Sequence, residues 1–181
     1  MSKLQLKAAD LGAFMQEHQG RIYNAALNLL QNQQEAEEIT QDVFLDAYNK
    51  QQSFKGDASI STWLYRIAVN KCIDILRKKQ RRLQWQQPFK WMAGETLLPT
   101  AATDFVHPGI VAENKEKAAI LYKALLHLPV NQRTAYLLHD TEHLSYKEIS
   151  EVLETSIPAV ESLLFRARQN LRKSIEHYYK D

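Results

Sequence analysis

A chain of 181 residues has room for two helical units of roughly 70 residues each, and not for two large domains. Its 23 basic and 21 acidic residues leave a net charge of only +2, which excludes a uniformly basic coat and shifts attention to where each sign collects. The single cysteine, Cys72, excludes an internal disulfide; with no apolar signal segment after Met1 and no run of about 20 apolar residues, the expectation is a cytoplasmic protein without direct membrane insertion.

Only 5 Gly and 5 Pro interrupt long stretches of Leu, Ala, Glu, Gln, Lys and Arg, so the chain reads as all-α. Helical periodicity runs from about Leu11 to Arg82. From Phe14 to Leu30, the residues Ile22, Ala25, Ala26, Leu29 and Leu30 form one buried stripe. A second helix begins near Gln34. In it Ile39, Val43 and Ala47 repeat at i, i+4 and i+8 with Phe44 beside them, while Glu35, Glu37, Glu38, Asp42 and Asp46 have no basic residue among them. After an irregular stretch around Phe54, Gly56 and Asp57, Thr62 or Ser61 caps a helix running toward Arg82, with Leu64, Ala68, Cys72 and Ile75 or Leu76 on its core side. Arg66, Asn70 and Arg77 share the opposite face. Arg66, Lys71, Arg77, Lys78, Lys79, Arg81 and Arg82 meet only one acid there, Asp74, so the first unit is expected to carry opposed acidic and basic faces.

Between Leu83 and Lys117 the periodicity fails, and Pro88, Gly94, Pro99, Pro108 and Gly109 make a continuous helix improbable. The expected division is therefore 1–82, a flexible linker over 83–117, and 118–181, with Trp85, Phe89, Trp91 and Met92 apolar enough for part of the linker to dock. Helical periodicity resumes near Ala118. Ser145-Tyr146-Lys147-Glu148 is a capping box opening a short helix that ends near Leu153. Past Glu154-Thr155-Ser156, a second helix accepts Pro158 in its first turn and buries Val160, Leu164, Ala167, Leu171 and Ile175. This is a helix-turn-helix pattern, and its second helix turns Ala159, Ser162, Phe165, Arg166, Gln169 and Lys173 outward.

Two sets of strings resemble the extracytoplasmic-function (ECF) sigma factors of bacterial RNA polymerase. Glu35-Ala36-Glu37-Glu38-Ile39-Thr40-Gln41-Asp42-Val43-Phe44, then Ser53-Phe54-Lys55-Gly56, then Thr62-Trp63-Leu64-Tyr65-Arg66-Ile67-Ala68-Val69-Asn70 are similar to region two. Leu128-Pro129-Val130-Asn131-Gln132-Arg133, Leu144 to Ile149 and Val160 to Arg168 are similar to region four. The resemblance implies an alternative sigma factor that binds core RNA polymerase and directs promoter-specific transcription initiation. By resemblance, Glu38, Gln41, Asp42 and Phe44 contact core polymerase; Phe54, Trp63, Arg66, Asn70, Lys71, Arg77 and Lys78 act on the minus-ten DNA; and Ser156, Ala159, Ser162, Phe165 and Arg166 act on the minus-thirty-five DNA. An extruded base needs a stacking surface and a polar pocket, and cations hold the single-stranded backbone. An anti-sigma factor is implied as a further partner, and no cofactor.

The chain departs from the family's habits in four places. Glu154 stands in the turn where Gly is common, Glu161 and Leu163 replace common cations on the recognition helix, and His139 stands where relatives carry Arg. Glu161 is expected to pair with a cation such as Arg133 or Lys147, or else to accept from a cytosine amino group. His139 and His143 have the H-x-x-x-H spacing of a zinc pair but lack a third ligand nearby, and read as solvated. Cys72 reads as a buried, inert thiol. No phosphate loop, nucleophile elbow or metal cluster appears, so the chain is expected not to be an enzyme, with a duplex-binding repressor or activator as the rival class. Limited proteolysis should cut first between Leu83 and Lys117; first cuts inside Gln34 to Asp46 or Tyr146 to Arg168 would overturn the two-unit division.

Overall fold

The computed structural model describes residues 11–54, 56–86 and 115–178. Among them all the regular elements are helical: α1 (Leu11–Leu30), α2 (Gln33–Lys50), a 3-10 turn (Gln51–Ser53), α3 (Ile60–Gln86), α4 (Lys115–Leu126), α5 (Val130–Asp140), α6 (Tyr146–Val152) and α7 (Ile157–Tyr178).

The first unit packs α1, α2 and α3 against one another. Gln31, at φ 51°, turns the chain out of α1, and Asn32 caps α2 by accepting a hydrogen bond from the Glu35 amide at 3.0 Å. Ala36, Ile39, Val43, Phe44 and Ala47 then fall on the buried side of α2. The sequence predicts a cap for α3 at Thr62 or Ser61, and the structure places it at Ser59. The Ser59 hydroxyl accepts from the Thr62 amide at 3.0 Å and meets the Thr62 hydroxyl at 2.8 Å, while Thr62 itself is buried. Leu64, Ala68 and Cys72 are buried as their spacing predicts, and burial pushes the Cys72 thiol up to about 12.

Both ends of the expected linker contract. Helix α3 continues through Leu83 to Gln86, and α4 begins at Lys115 instead of Ala118. Trp85 does not dock among the described residues; it stands 88% exposed on α3. Phe89, Trp91 and Met92 lie outside the described residues.

The second unit packs α4, α5 and α6 against α7 or each other. Ser145 and Glu148 form the predicted capping box, with the Glu148 carboxylate accepting from the Ser145 amide at 2.8 Å. Helix α6 ends where the Thr155 amide donates to the Ser150 carbonyl at 2.9 Å, around Glu154 in a left-handed conformation, φ 50°. Val160, Leu164, Ala167 and Leu171 are buried along α7.

A tether alone predicts units that ignore each other, whereas here they share a boundary. Helix α1 touches α5, and α3 touches both α5 and α6. From Ala25 to Gln31 every residue is buried, including Leu27 and Asn28, which lie outside the predicted stripe. A helix with no solvated side must be covered on every face. Helices α2 and α3 cover part of α1, and the second unit covers more.

Ser145→Ala should destabilise the folded chain by about 1 kcal/mol, the ordinary worth of an N-cap hydroxyl, as measured by urea denaturation. The Ser145 side chain and amide hold the Glu148 carboxyl below its ordinary value of 4.5, against a small opposing effect of burial. That contribution is complete above 4.5 and is lost as pH falls through the lower folded value. Glu148→Gln should therefore flatten this part of the acid limb, and unchanged stability in both variants would show that the box does not hold α6.

Candidate functional site

On α2, Glu38, Gln41 and Asp42 are exposed at i, i+3 and i+4. Phe44, predicted with them as a polymerase contact, is not on this surface. It is 1% exposed and meets the Phe14 ring edge-on at 5.9 Å. The reason is helical phase, since Phe44 adjoins Val43 and Ala47 on the core side. The apolar group that does face out is Leu45, 58% exposed, at i+7 from Glu38 and so in line with the acids. The same spacing is legible in the sequence, where the helical period sets Leu45 in line with Glu38 and Phe44 beside the apolar seam.

The acidic and basic faces of the first unit adjoin along the α2–α3 seam instead of opposing one another. Lys71 lies 3.4 Å from the Asp42 carboxylate and 3.3 Å from that of Asp46, and Lys79 pairs with Glu35. Burial acts to raise the Asp46 carboxyl, but Lys50 and Lys71 together hold it below its ordinary value of 3.8. Desolvation likewise acts to lower Lys71, and Asp46 with Asp42 outweighs it. Part-exposed pairs of this kind are each worth at most about 1 kcal/mol. Further along α3, Arg77, Lys78, Arg81 and Arg82 are exposed and pair with no acid among the described residues. Asn70 is exposed as well.

Phe54 is only 9% exposed, and its ring lies 5.3 Å from that of Trp63, which packs partly against the core. The two predicted base-capturing aromatics thus cover each other. Arg66 faces the second unit: its Nε donates to the Glu151 carbonyl at 2.9 Å and its Nη1 lies 3.8 Å from the Glu154 carboxylate.

In the second unit, Ser156 caps α7 by accepting from the Ala159 amide at 3.4 Å. Ser162, Phe165 and Arg166 are exposed and Ala159 is half-buried. Phe165 is 62% exposed, Ile157 adds a second outward apolar side chain at 42%, and the Arg166 Nε donates back to the Ser162 carbonyl at 3.1 Å. Glu161 is exposed and forms no ion pair among the described residues, so the expected bond to Arg133 or Lys147 is not made. Arg133 is out of its reach for a plain reason. Its side chain is buried, and desolvation lowers its guanidinium to about 10. Leu163 packs partly against the core, so its departure from a cation serves the fold. His139 has its Nδ1 3.1 Å from the Leu144 carbonyl and its ring edge-on to Tyr146, so it is packed and not the solvated group that its spacing suggested.

The family model for Sigma-70 region 2 matches residues 14–82, and that for Sigma-70, region 4 matches residues 118–171. The ECF RNA polymerase sigma factor SigW of Bacillus subtilis is 33% identical over 174 residues, covering 94% of this chain and 93% of the relative. The RNA polymerase sigma-H factor of Pseudomonas aeruginosa is 29% identical over 174 residues, with 94% and 87% covered. Among solved structures, the sigma factor RpoE in complex with the anti-sigma factor NepR from Bartonella quintana aligns with a TM-score of 0.69 at 22% identity, covering 93% of this chain and 98% of that one. CnrH in complex with the cytosolic domain of CnrY aligns at 0.66 and 22% identity, with 94% and 90% covered. The fold of these structures agrees with the all-helical, two-unit architecture seen here. Region 2 followed by region 4, with a third of the residues shared with one full-length relative, establishes that the chain belongs to the ECF sigma factors of RNA polymerase.

Proposed function

We propose that this sigma factor divides its work among three helices. Helix α2 docks on core RNA polymerase through Glu38, Gln41, Asp42 and Leu45, with Phe44 bracing the helix from behind. Helix α3 engages the minus-ten element through Asn70, Arg77 and Lys78, joined by Arg66, Lys71, Trp63 and Phe54 once these are released from their present contacts. Helix α7 enters the major groove at the minus-thirty-five element with Ser156, Ala159, Ser162, Phe165 and Arg166. The observation that carries this division is the charge along the first unit: an exposed stripe of acids and one leucine on α2, against four exposed cations toward the end of α3 that pair with no acid among the described residues.

Several coarser expectations fit the same scheme. The chain acts without catalysis of its own, leaving chemistry to the polymerase; the single thiol, buried and pushed up to about 12, offers no ready nucleophile. It works in the cytoplasm, where the polymerase is, and no described helix is long and apolar enough to cross a membrane. The solved relatives include a sigma factor held by an anti-sigma factor, and an inhibitor of that kind would find the α2 stripe an accessible target. The proposed functional division is 1–82, 83–117 and 118–181, and the flanking helices extend past two of its borders, to Gln86 and from Lys115.

Glu38→Lys with Asp42→Lys should weaken core-polymerase binding by roughly tenfold or more, because like charge replaces complementary charge at the docking stripe. Arg77→Gln with Lys78→Gln should leave that binding within about twofold, while slowing promoter opening and lowering its salt dependence by roughly 0.7 per lost contact to a single strand. Polymerase titration and open-complex kinetics read the two effects separately, and equal loss of polymerase binding in both variants would sink the assignment.

Glu161→Lys tests the third helix. In complexes of the full chain with core polymerase, it should tighten binding to duplex minus-thirty-five DNA and steepen the log–log salt slope by roughly one unit, the effect of one added phosphate contact. If preference for the cognate sequence disappears while the slope stays fixed, Glu161 reads a base.

A further inference from the structure

Helices α2, α3, α6 and α7 each begin on a side-chain cap, and α5 does not. Its N-cap is Pro129, which has no side-chain acceptor to offer, and its first turn holds no acid. The Arg133 amide donates to the Pro129 carbonyl at 3.0 Å and opens the helical ladder, so the amides of Val130, Asn131 and Gln132 have no acceptor within it. The partial positive charge of a helix start is left uncompensated there.

One turn in, the Arg133 side chain is only 5% exposed. Its Nε has no hydrogen-bond partner, and no carboxylate pairs with the guanidinium among the described residues. Desolvation lowers this group with no acid opposing it. A buried cation without an anion is costly, and burial ordinarily comes with a partner. Side chains of an α-helix lean toward its N-terminus and cover the positions three and four before them, which for Arg133 are Val130 and Pro129. The unpartnered guanidinium and the free amides therefore belong to the same turn.

We propose that the start of α5 is a binding site for one small oxyanion, the phosphate group of orthophosphate or of a phosphorylated small molecule, held by the amides of Val130, Asn131 and Gln132 and by the Arg133 guanidinium.

Enclosure, charge and position select this ligand. Leu128, Gln132 and Arg133 are buried while Pro129 and Asn131 are exposed, so one compact group can enter between them and a folded surface cannot. Guanidinium and helix-start amides are both donors, and phosphate oxygens accept from both at once. The promoter is not the source. The Gln132 side chain accepts from Asn170, which at 1.5 Å per residue lies about 20 Å along α7 from Ser156, the end assigned to DNA. Gln132 supplies an amide to the site and also braces α7 from within, so an occupied site steadies the reading helix from its far end.

Isothermal titration calorimetry on the full, free chain tests the site, with ionic strength held constant by chloride. Orthophosphate, adenosine 5′-diphosphate or both should bind saturably at one site. Arg133→Met keeps an unbranched side chain in the buried space and should weaken that binding by roughly tenfold or more, the effect of losing a hydrogen bond to a charged group. Asn131→Asp stands at an exposed position and sets a carboxylate against the same amides. It should weaken binding to a similar extent, and it remains a folded variant if the buried substitution fails. Equal or weaker binding of the diphosphate upholds a site for free phosphate, and tighter binding upholds one for a phosphorylated small molecule. Absence of saturable binding, or binding that either folded variant leaves unchanged, overturns the site. If neither probe binds while Arg133→Met loses affinity for core polymerase, the anion that meets Arg133 is a carboxylate of the polymerase, and the small-anion site is likewise overturned.

Discussion

From Ala25 to its end, α1 has no side left for water, and the arrangement of the packed helices follows from that. Ala25, Ala26, Leu27, Leu29 and Leu30 are almost wholly buried, and each leucine contributes about 1.5–3 kcal/mol when taken from water. Small residues at 25 and 26 let neighbouring helices approach closely, and the larger ones fill the spaces between α2, α3 and the second unit. Asn28 is the polar member of this run. Buried at 3% exposure, it is satisfied by Tyr122 and Glu142 from the other unit, so the helix that organises the first unit also carries a recognition point for the second.

Magnitudes separate what builds this protein from what it presents. Its described ion pairs are part-exposed or fully exposed, and such pairs add at most about 1 kcal/mol each, less than one buried leucine. The fold can therefore dispense with most of its charges. Glu38 and Asp42 on α2, and Arg77, Lys78, Arg81 and Arg82 on α3, lie outside the core and are free to be set by the surfaces they meet. Lys71 is the point where the two groups of charge join. Held between Asp42 and Asp46, it links α2 to α3, and loss of the Asp42 contact would leave Lys71 less neutralised.

The helix-turn-helix shows the same economy in a smaller space. The capping box fixes where α6 begins, the Thr155 to Ser150 bond fixes where it ends, and Ser156 starts α7, so local hydrogen bonds shape the turn from which α7 departs. Arg133 lies buried in the same unit, and the Gln132 side chain accepts from Asn170 of α7 at 3.0 Å, bracing that helix from its inner side. Two apolar side chains, Ile157 and Phe165, are left outside at the start and middle of α7.

The sequence by itself determined the helical class, the buried stripes of α2, α3 and α7, the capping box, and the segregation of acids on one helix from bases on another. All of these rest on the 3.6-residue period or on bonds between residues three or four apart, which are complete within a dozen positions. Tertiary structure decided the rest. Whether Phe44 or Leu45 faces outward depends on which side of α2 is covered, and Asn28 is buried where Glu142 and Tyr122 of the second unit meet α1. Lys71 meets Asp42 across 29 positions, Arg66 meets Glu151 across 85, and Tyr65 meets Glu142 across 77. No local period records such a pairing, because it arises when packed helices bring distant side chains within the few ångströms at which a hydrogen bond forms.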